Sequence, residues 1–264
     1  MRSMFEGCKA LKELNLSNFK TVDVTDMNNM FMGCCSLNKL NLSNFNTGKV
    51  LDMSGMFNGC TLLKELDLSS FNTKNVQDMS YMFSSCDNLV DLNLSNFNTV
   101  NTKNMMHMFE SCKHLKELNL SNFNTRNVTD MSRMFSECKS LKVLNLSSFD
   151  TRNITKMDYM LFKCKSIKQL NIYNLDIKKI TNIDYMFGEY SSLKEIYISN
   201  FNIEKEKDIC NIFSGKCSSK KIYISKYNNN IIDIKEAFKR CPRFVKIICK
   251  ENTTGKATFS ESDK

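Results

Sequence analysis

Thiols and thioethers are the first residues of this sequence whose type and spacing invite a chemical reading. Twelve Cys and 17 Met stand against two His and no Trp in 264 residues. Thiolates are nucleophiles and soft metal ligands, and an even number of cysteines in a secreted chain suggests disulfides. Yet Cys8, Cys34, Cys60, Cys86, Cys112, Cys138 and Cys164 recur at a constant step of 26 residues. Cysteines one coil apart on a stacked chain point the same way rather than at each other, which does not suit a bridge. A free Cys otherwise packs as a small hydrophobe, so this ladder reads as core. Cys35 lies off the ladder and is expected to be the most exposed thiol. No C-x-x-C spacing occurs, which removes the usual zinc and thioredoxin-type readings. Met27 and Met30, Met53 and Met56, and Met131 and Met134 keep the same step. They read as core, with a metal-binding methionine array as the alternative. His107 and His114 read as exposed polar positions with no Ser, Cys or carboxylate partner fixed by spacing. Without a triad, a paired-carboxylate design or a phosphate loop, no enzyme, cofactor or metal site is expected.

A repeat positions these residues. Phe5, Phe31, Phe57, Phe83, Phe109 and Phe135 follow the 26-residue step, and so do Phe19, Phe45, Phe71, Phe97, Phe123 and Phe149. The unit reads M-x-x-M-F-x-x-C-x-x-L-K-x-L-N-L-S-N-F-N-T-x-N-V-T-D. In its first part, Met27, Met30, Phe31 and Cys34 fall at i, i+3, i+4 and i+7, which predicts a short amphipathic helix. Asp26, Asp52, Asp78 and Asp130 precede that stretch, where a carboxylate can accept hydrogen bonds from first-turn amides. In its second part, Leu40 and Leu42 alternate with polar residues, which predicts a strand.

The fold class that follows is an α/β solenoid. It is a leucine-rich-repeat-like right-handed coil of 26-residue units, each with a short strand in a concave parallel sheet and a short helix on the convex side. One such unit cannot bury its apolar face alone, but stacked units share a continuous core. Residues 1–250 are read as one solenoid of about nine full repeats and a degenerate C-terminal one, and residues 251–264 as a polar tail. Met1–Phe5 matches Met53–Phe57 column for column. The chain thus starts inside a repeat and is expected to be truncated or part of a longer chain.

The repeat resembles the BspA-like leucine-rich-repeat surface proteins. Within them it is similar to the branch with M-x-x-M-F-x-x-C-x-x-L-x-x-L-N-L-S-N-F-N-T-x-N-V-T-D repeats, also found in mycoplasma-type lipoproteins. The resemblance implies a non-enzymatic solenoid at the cell surface or secreted, mediating adhesion or protein or glycan interaction. The first twenty residues lack the basic start and apolar run of a secretory signal, and no run of about 18 apolar residues is present. An intracellular, cytoplasmic interaction scaffold or effector on the same solenoid is therefore the alternative.

The outward columns of the strand are where a ligand is expected. Asn15, Asn41, Asn93, Asn119, Asn145 and Asn171 form one column, with Asp67 among them, and serines form the next. These small polar residues read as satisfying each other from coil to coil. At Tyr173, Tyr197 and Tyr223 the pattern breaks, and six of the eight tyrosines lie at or beyond Tyr173. Tyrosine offers contact area and a hydrogen bond at small entropic cost, so these three are the candidate ligand-binding residues. Charge is uneven as well: residues 131–264 hold 25 Lys and Arg against 15 Asp and Glu, and residues 1–130 hold 12 against 13. Lys116, Lys142, Lys168, Lys194 and Lys220 form a column beside the strand, and Arg152 lies in the following loop. This basic edge either suits an anionic protein or glycan ligand or only solubilises the chain. Nucleic acid is not expected as a partner, since no recognised binding module accompanies the charge. The chain is expected to be monomeric unless it is part of a longer one.

Overall fold

The structure is a computed structural model that describes residues 1–172, 176, 179–189, 195–199, 212, 221–225 and 247–250. Residues 26 apart lie side by side in parallel register. A line of bridges joins Asp26 to Asp52, Asp52 to Asp78, Asp78 to Asn104, Asn104 to Asp130, Asp130 to Lys156 and Lys156 to Asn182. From each bridge the chain runs through an arc of turns, and alternate amides of that arc bond the next coil. Met27, Asn29, Phe31 and Gly33 donate to the carbonyls of Asp52, Ser54, Met56 and Asn58 at 2.7–2.9 Å. The amides between them turn inward along the chain, with Met30, Met32 and Cys34 donating to Met27, Asn29 and Phe31.

This arc replaces the expected short helix. An α-helix uses each amide to bond the carbonyl four residues back. Here half the amides serve the neighbouring coil and the others bond three residues back. Two residues per arc also take a left-handed backbone, at Asn29 (φ 56°) and Gly33 (φ 71°) in one coil and Tyr81 (φ 57°) and Ser85 (φ 56°) in another. A right-handed helix cannot hold two such residues four apart. The arc nonetheless buries Met27, Met30, Phe31 and Cys34 fully, the set that a helix would have buried.

The strands are shorter and fewer than expected. β1 (Glu13–Leu14) pairs with β2 (Lys39–Leu40), β3 (Val143–Asn145) with β4 (Gln169–Asn171), and β5 (Glu195–Ser199), β6 (Lys221–Ser225) and β7 (Ile247–Lys250) form a three-stranded sheet, all parallel. Between β2 and β3 the strand side keeps only scattered bonds, such as Val90 N to Lys64 O at 3.2 Å and Lys142 N to Lys116 O at 3.2 Å. The cause is local. Asn15, Asn41, Asn93, Asn119 and Asn145 each accept, through Oδ1, the amide of the serine two residues on at 3.0 Å. That Asx turn bends the chain just past the leucine and ends the strand. Where Tyr197 and Tyr223 replace the asparagine, β5 and β6 run on through the tyrosine to five residues each.

The loop after the strand is held by threonines. Thr47 Oγ1 accepts the Asn72 amide at 2.8 Å and donates to the Asn72 carbonyl at 2.9 Å. Thr21, Thr73, Thr99, Thr125 and Thr151 make the same pair of bonds, each to a residue 25 positions on. Between arcs and strands runs one apolar core. Phe5, Phe31, Phe57, Phe83, Phe109 and Phe135 stack through it with centroids 5.6–5.8 Å apart and planes within 8°. Leu161 takes the next place and Phe187 the one after, both fully buried.

Candidate functional site

The cysteine ladder belongs to the core. Cys60, Cys86, Cys112, Cys138 and Cys164 are fully buried, and each Sγ donates to the carbonyl of the phenylalanine 29 residues earlier at 3.0–3.3 Å. Burial disfavours the thiolate and pushes Cys86 and Cys138 up to about 12, and Cys112 and Cys164 well above the usual thiol value. Among the cysteines described, the exposed thiol is Cys8 rather than Cys35. Cys35 is half-buried with its Sγ 3.3 Å from the Gly33 carbonyl.

On the strand side, the Asn and Ser columns do not satisfy each other from coil to coil. Asn15, Asn41, Asn93, Asn119 and Asn145 each cap the turn of their own coil, and the serines that follow them stay exposed. Tyr197 and Tyr223 are direct register partners in β5 and β6, continuing the column in which Asn145 pairs with Asn171. Tyr223 is half-buried. Tyr173 lies outside the described residues.

The basic edge divides. Lys116, Lys142 and Lys168 are exposed, and their backbones are linked coil to coil at 2.9–3.2 Å. No ion pair reaches these three side chains among the described residues. Arg152 is different: its Nε and Nη2 grip Asp150 at 2.9 and 2.6 Å, and these bonds hold the Asp150 carboxyl below its ordinary range. Its charge is spent within its own loop, so it does not belong with the free lysines. Lys194 and Lys220 lie outside the described residues.

The sequence reading missed a third surface, on the outer side of the arc. The first left-handed position of each arc holds Ser3, Asn29 and Gly55 in the early coils, and then Tyr81, His107, Arg133, Tyr159 and Tyr185. Their φ values are 54–57°, a conformation that costs a bulky residue about 1–3 kcal/mol. They stack in two groups, and Glu110 reaches both His107 and Arg133 between them. The Tyr81 and His107 rings lie 4.3 Å apart, the Arg133 guanidinium covers Tyr159 at 4.4 Å, and Tyr159 and Tyr185 lie 4.9 Å apart. Phe162 meets Tyr159 edge-on at 5.2 Å and carries Lys163 over its own ring. Burial, followed by the charge of Glu110, raises the Tyr81 phenol.

His107 is therefore not an exposed polar position. Its side chain is 15% exposed, and Nδ1 lies 2.5 Å from Glu110 Oε2. His114 is exposed, with Nδ1 2.7 Å from the Asp87 carbonyl. Burial opposes ionisation of Glu137, but Lys139 and Lys163 outweigh it and hold its carboxyl low. The signal for this surface was present in the sequence: four of the eight glycines, Gly7, Gly33, Gly55 and Gly59, sit in the two left-handed columns.

Among the described residues, no three His, Cys, Asp or Glu converge as metal ligands, and no helix is long and apolar enough to cross a membrane. The sequence matches a family model described as "Mycoplasma protein of unknown function, DUF285" over residues 1–120, 103–227 and 162–261. No curated protein matches it. Among solved structures it is similar to a leucine-rich-repeat protein of Leptospira interrogans, with 16% identity and a TM-score of 0.30. That similarity covers 85% of this chain and 57% of the Leptospira chain.

Proposed function

The chain belongs to the DUF285 family of Mycoplasma proteins of unknown function, and from that premise we propose that it is a non-enzymatic binding protein. In this reading it is a right-handed leucine-rich-repeat solenoid of the BspA-like branch, displayed at the cell surface or secreted. It mediates adhesion by holding a protein or glycan ligand on the strand side of its C-terminal repeats. One observation carries the reading. Where the column of small turn-capping asparagines gives way to Tyr197 and Tyr223, the strands lengthen and the two tyrosines become register partners. A tyrosine patch on a sheet that has lost its Asx turns supplies a flat surface of contact area with hydroxyl donors. The exposed Lys116, Lys142 and Lys168 extend it with positive charge suited to an anionic ligand.

The test is adhesion of the purified chain to host-cell monolayers and to an array of neutral and anionic glycans. Replacing Tyr173, Tyr197 and Tyr223 together with Ser should abolish the strongest binding while the circular-dichroism spectrum is kept. Undiminished binding by that variant refutes the site. Protease shaving of intact cells tests the location: a surface protein is lost, whereas an intracellular one survives. The second reading, an intracellular scaffold, is favoured by the eight free thiols among the described residues.

A further inference from the structure

Within the strand side, one stretch has a donor pattern of its own. Lys116, Lys142 and Lys168 stand exposed on three consecutive coils, and their backbones are joined at 3.2 and 2.9 Å. In the earlier coils carboxylates accompany this column. Glu13, Glu65, Asp91 and Glu117 stand at the position just after it, and Lys39 pairs with Glu13 at 3.7 Å. In the next two coils that position holds Val143 and Gln169, which are register partners, and the carboxylate is gone. Beside the lysines, Asn119 and Asn145 spend Oδ1 on their own turns. Their side chains are exposed, and Nδ2 has no partner in either among the described residues. Ser121 and Ser147 are exposed as well.

We propose that this row binds a linear anionic glycan laid along the stacking direction. Its sulfate or carboxylate groups meet Lys142 and Lys168, and its hydroxyls meet the Asn and Ser columns. The inference rests on the reading of the strand side as the binding face and names the class of ligand. Ammonium, amide and hydroxyl groups all donate, so the ligand must supply acceptors and negative charge at every step. The step from coil to coil is about 4.8 Å, the spacing of paired parallel strands. That is close to the length of one sugar residue in an extended polysaccharide. Other classes of partner ask for groups that are missing. Protein interfaces are anchored by Tyr, Trp and Arg and are depleted in Lys. Single-stranded nucleic acid stacks its bases on aromatic side chains, and a membrane surface needs an apolar face beside the basic one. The segments 116–121, 142–147 and 168–171 contain no aromatic residue, and Val143 is the one exposed large apolar side chain described in them.

Surface plasmon resonance of the full chain over immobilised heparin, hyaluronan and neutral dextran tests this. Binding is expected to at least one of the two anionic glycans and not to dextran, and raised salt should weaken it. Heparin against hyaluronan tells sulfate from carboxylate. Lys142→Gln with Lys168→Gln should weaken binding at least about tenfold. Lys39→Gln with Lys49→Gln removes the same charge where Glu13 and Asp23 already pair with it. That control should change affinity less than about twofold, and circular dichroism confirms that each variant is folded. Equal losses in the two variants overturn the proposal, because net charge and not the row then holds the glycan. Tighter lysine-dependent binding of polyuridylate than of either glycan also overturns it, and assigns the row to nucleic acid. The tyrosine variant separates this inference from the reading beneath it. Cell adhesion that is lost with the three tyrosines, in a chain that binds neither anionic glycan, refutes the glycan and keeps the strand side. Lysine-dependent glycan binding, with adhesion undiminished in the tyrosine variant, keeps the glycan and refutes the tyrosine site.

Discussion

Replacing Thr99 with Val isolates the bond that fixes one coil on the next. Thr99 is fully buried, its Oγ1 accepts the Asn124 amide at 2.8 Å, and it donates to the Asn124 carbonyl at 3.0 Å. Val keeps the β-branched shape and removes only the hydroxyl, so packing changes little while two backbone groups lose their partner. Leaving a buried polar group unsatisfied costs on the order of 1–3 kcal/mol, and water reaches the exposed Asn124 in part, so the substitution should cost about 1–3 kcal/mol. Against a total stability of about 5–15 kcal/mol, that loss is large enough to move a urea midpoint clearly. Ser95→Ala is the control: the side chain is exposed, and the turn there is held by Asn93 Oδ1 and the Ser95 backbone amide. It should change stability by less than about 0.5 kcal/mol. Hydrogen exchange supplies a local readout, with the Asn124 amide losing protection in the Thr99→Val chain before its neighbours do. If Thr99→Val proves as mild as Ser95→Ala, the threonine bonds do not hold the coils, and the arc ladder alone must.

Other consequences can be measured in the same preparations. A Cβ at Gly55 would overlap Asn29 Oδ1 and would sit at φ 62°. Gly55→Ala should therefore destabilise by more than about 1 kcal/mol, and Asn29→Ala should recover part of that loss in a double-mutant cycle. Among the cysteines described, alkylation of the native chain near pH 8.5 should label Cys8 first and Cys35 next, with Cys86, Cys112, Cys138 and Cys164 reacting only after denaturation. Because burial raises the folded-state value of Cys86 and Cys138 to about 12, these thiols contribute stability that is whole below their ordinary value of 9.0. As pH climbs through that window, each should cost roughly 1 kcal/mol per pH unit, and Cys86→Ala should flatten the alkaline slope by one thiol's share.

The sequence carried the unit length, the core columns and the place of each buried cysteine. Those depend only on which residues face inward, and an apolar side chain reports that directly. It did not carry the kind of backbone behind the inward face. Met27, Met30, Phe31 and Cys34 have helical spacing, yet the same four point inward from an arc in which left-handed residues at Asn29 and Gly33 reset the direction of the chain. Hydrophobic periodicity counts inward positions and is blind to whether an amide bonds its own coil or the next. The glycines of the early coils were the available sign, since Gly at φ near 70° is the cheap solution there. In later coils Tyr81, His107 and Arg133 hide the same backbone behind residues that rarely adopt it.

The strand side shows the opposite relation between side chain and backbone. There one residue type decides how far the strand runs. With Asn at the column, Oδ1 competes for the amide two residues on and the chain turns away. With Tyr, nothing competes, the amides remain free for the neighbouring coil, and β5 and β6 extend in register through Ser199 and Ser225. The change from Asn to Tyr therefore adds aromatic area and removes the turn that would have broken the surface beneath it. Tyr223→Asn separates the two effects. If the asparagine caps its own turn, β6 should shorten and the Ser225 amide should lose protection from exchange, while Tyr223→Phe should leave the strand intact. Equal protection in both variants would mean that the isoleucines alone set the strand length, and that the tyrosines stand on a sheet they did nothing to build.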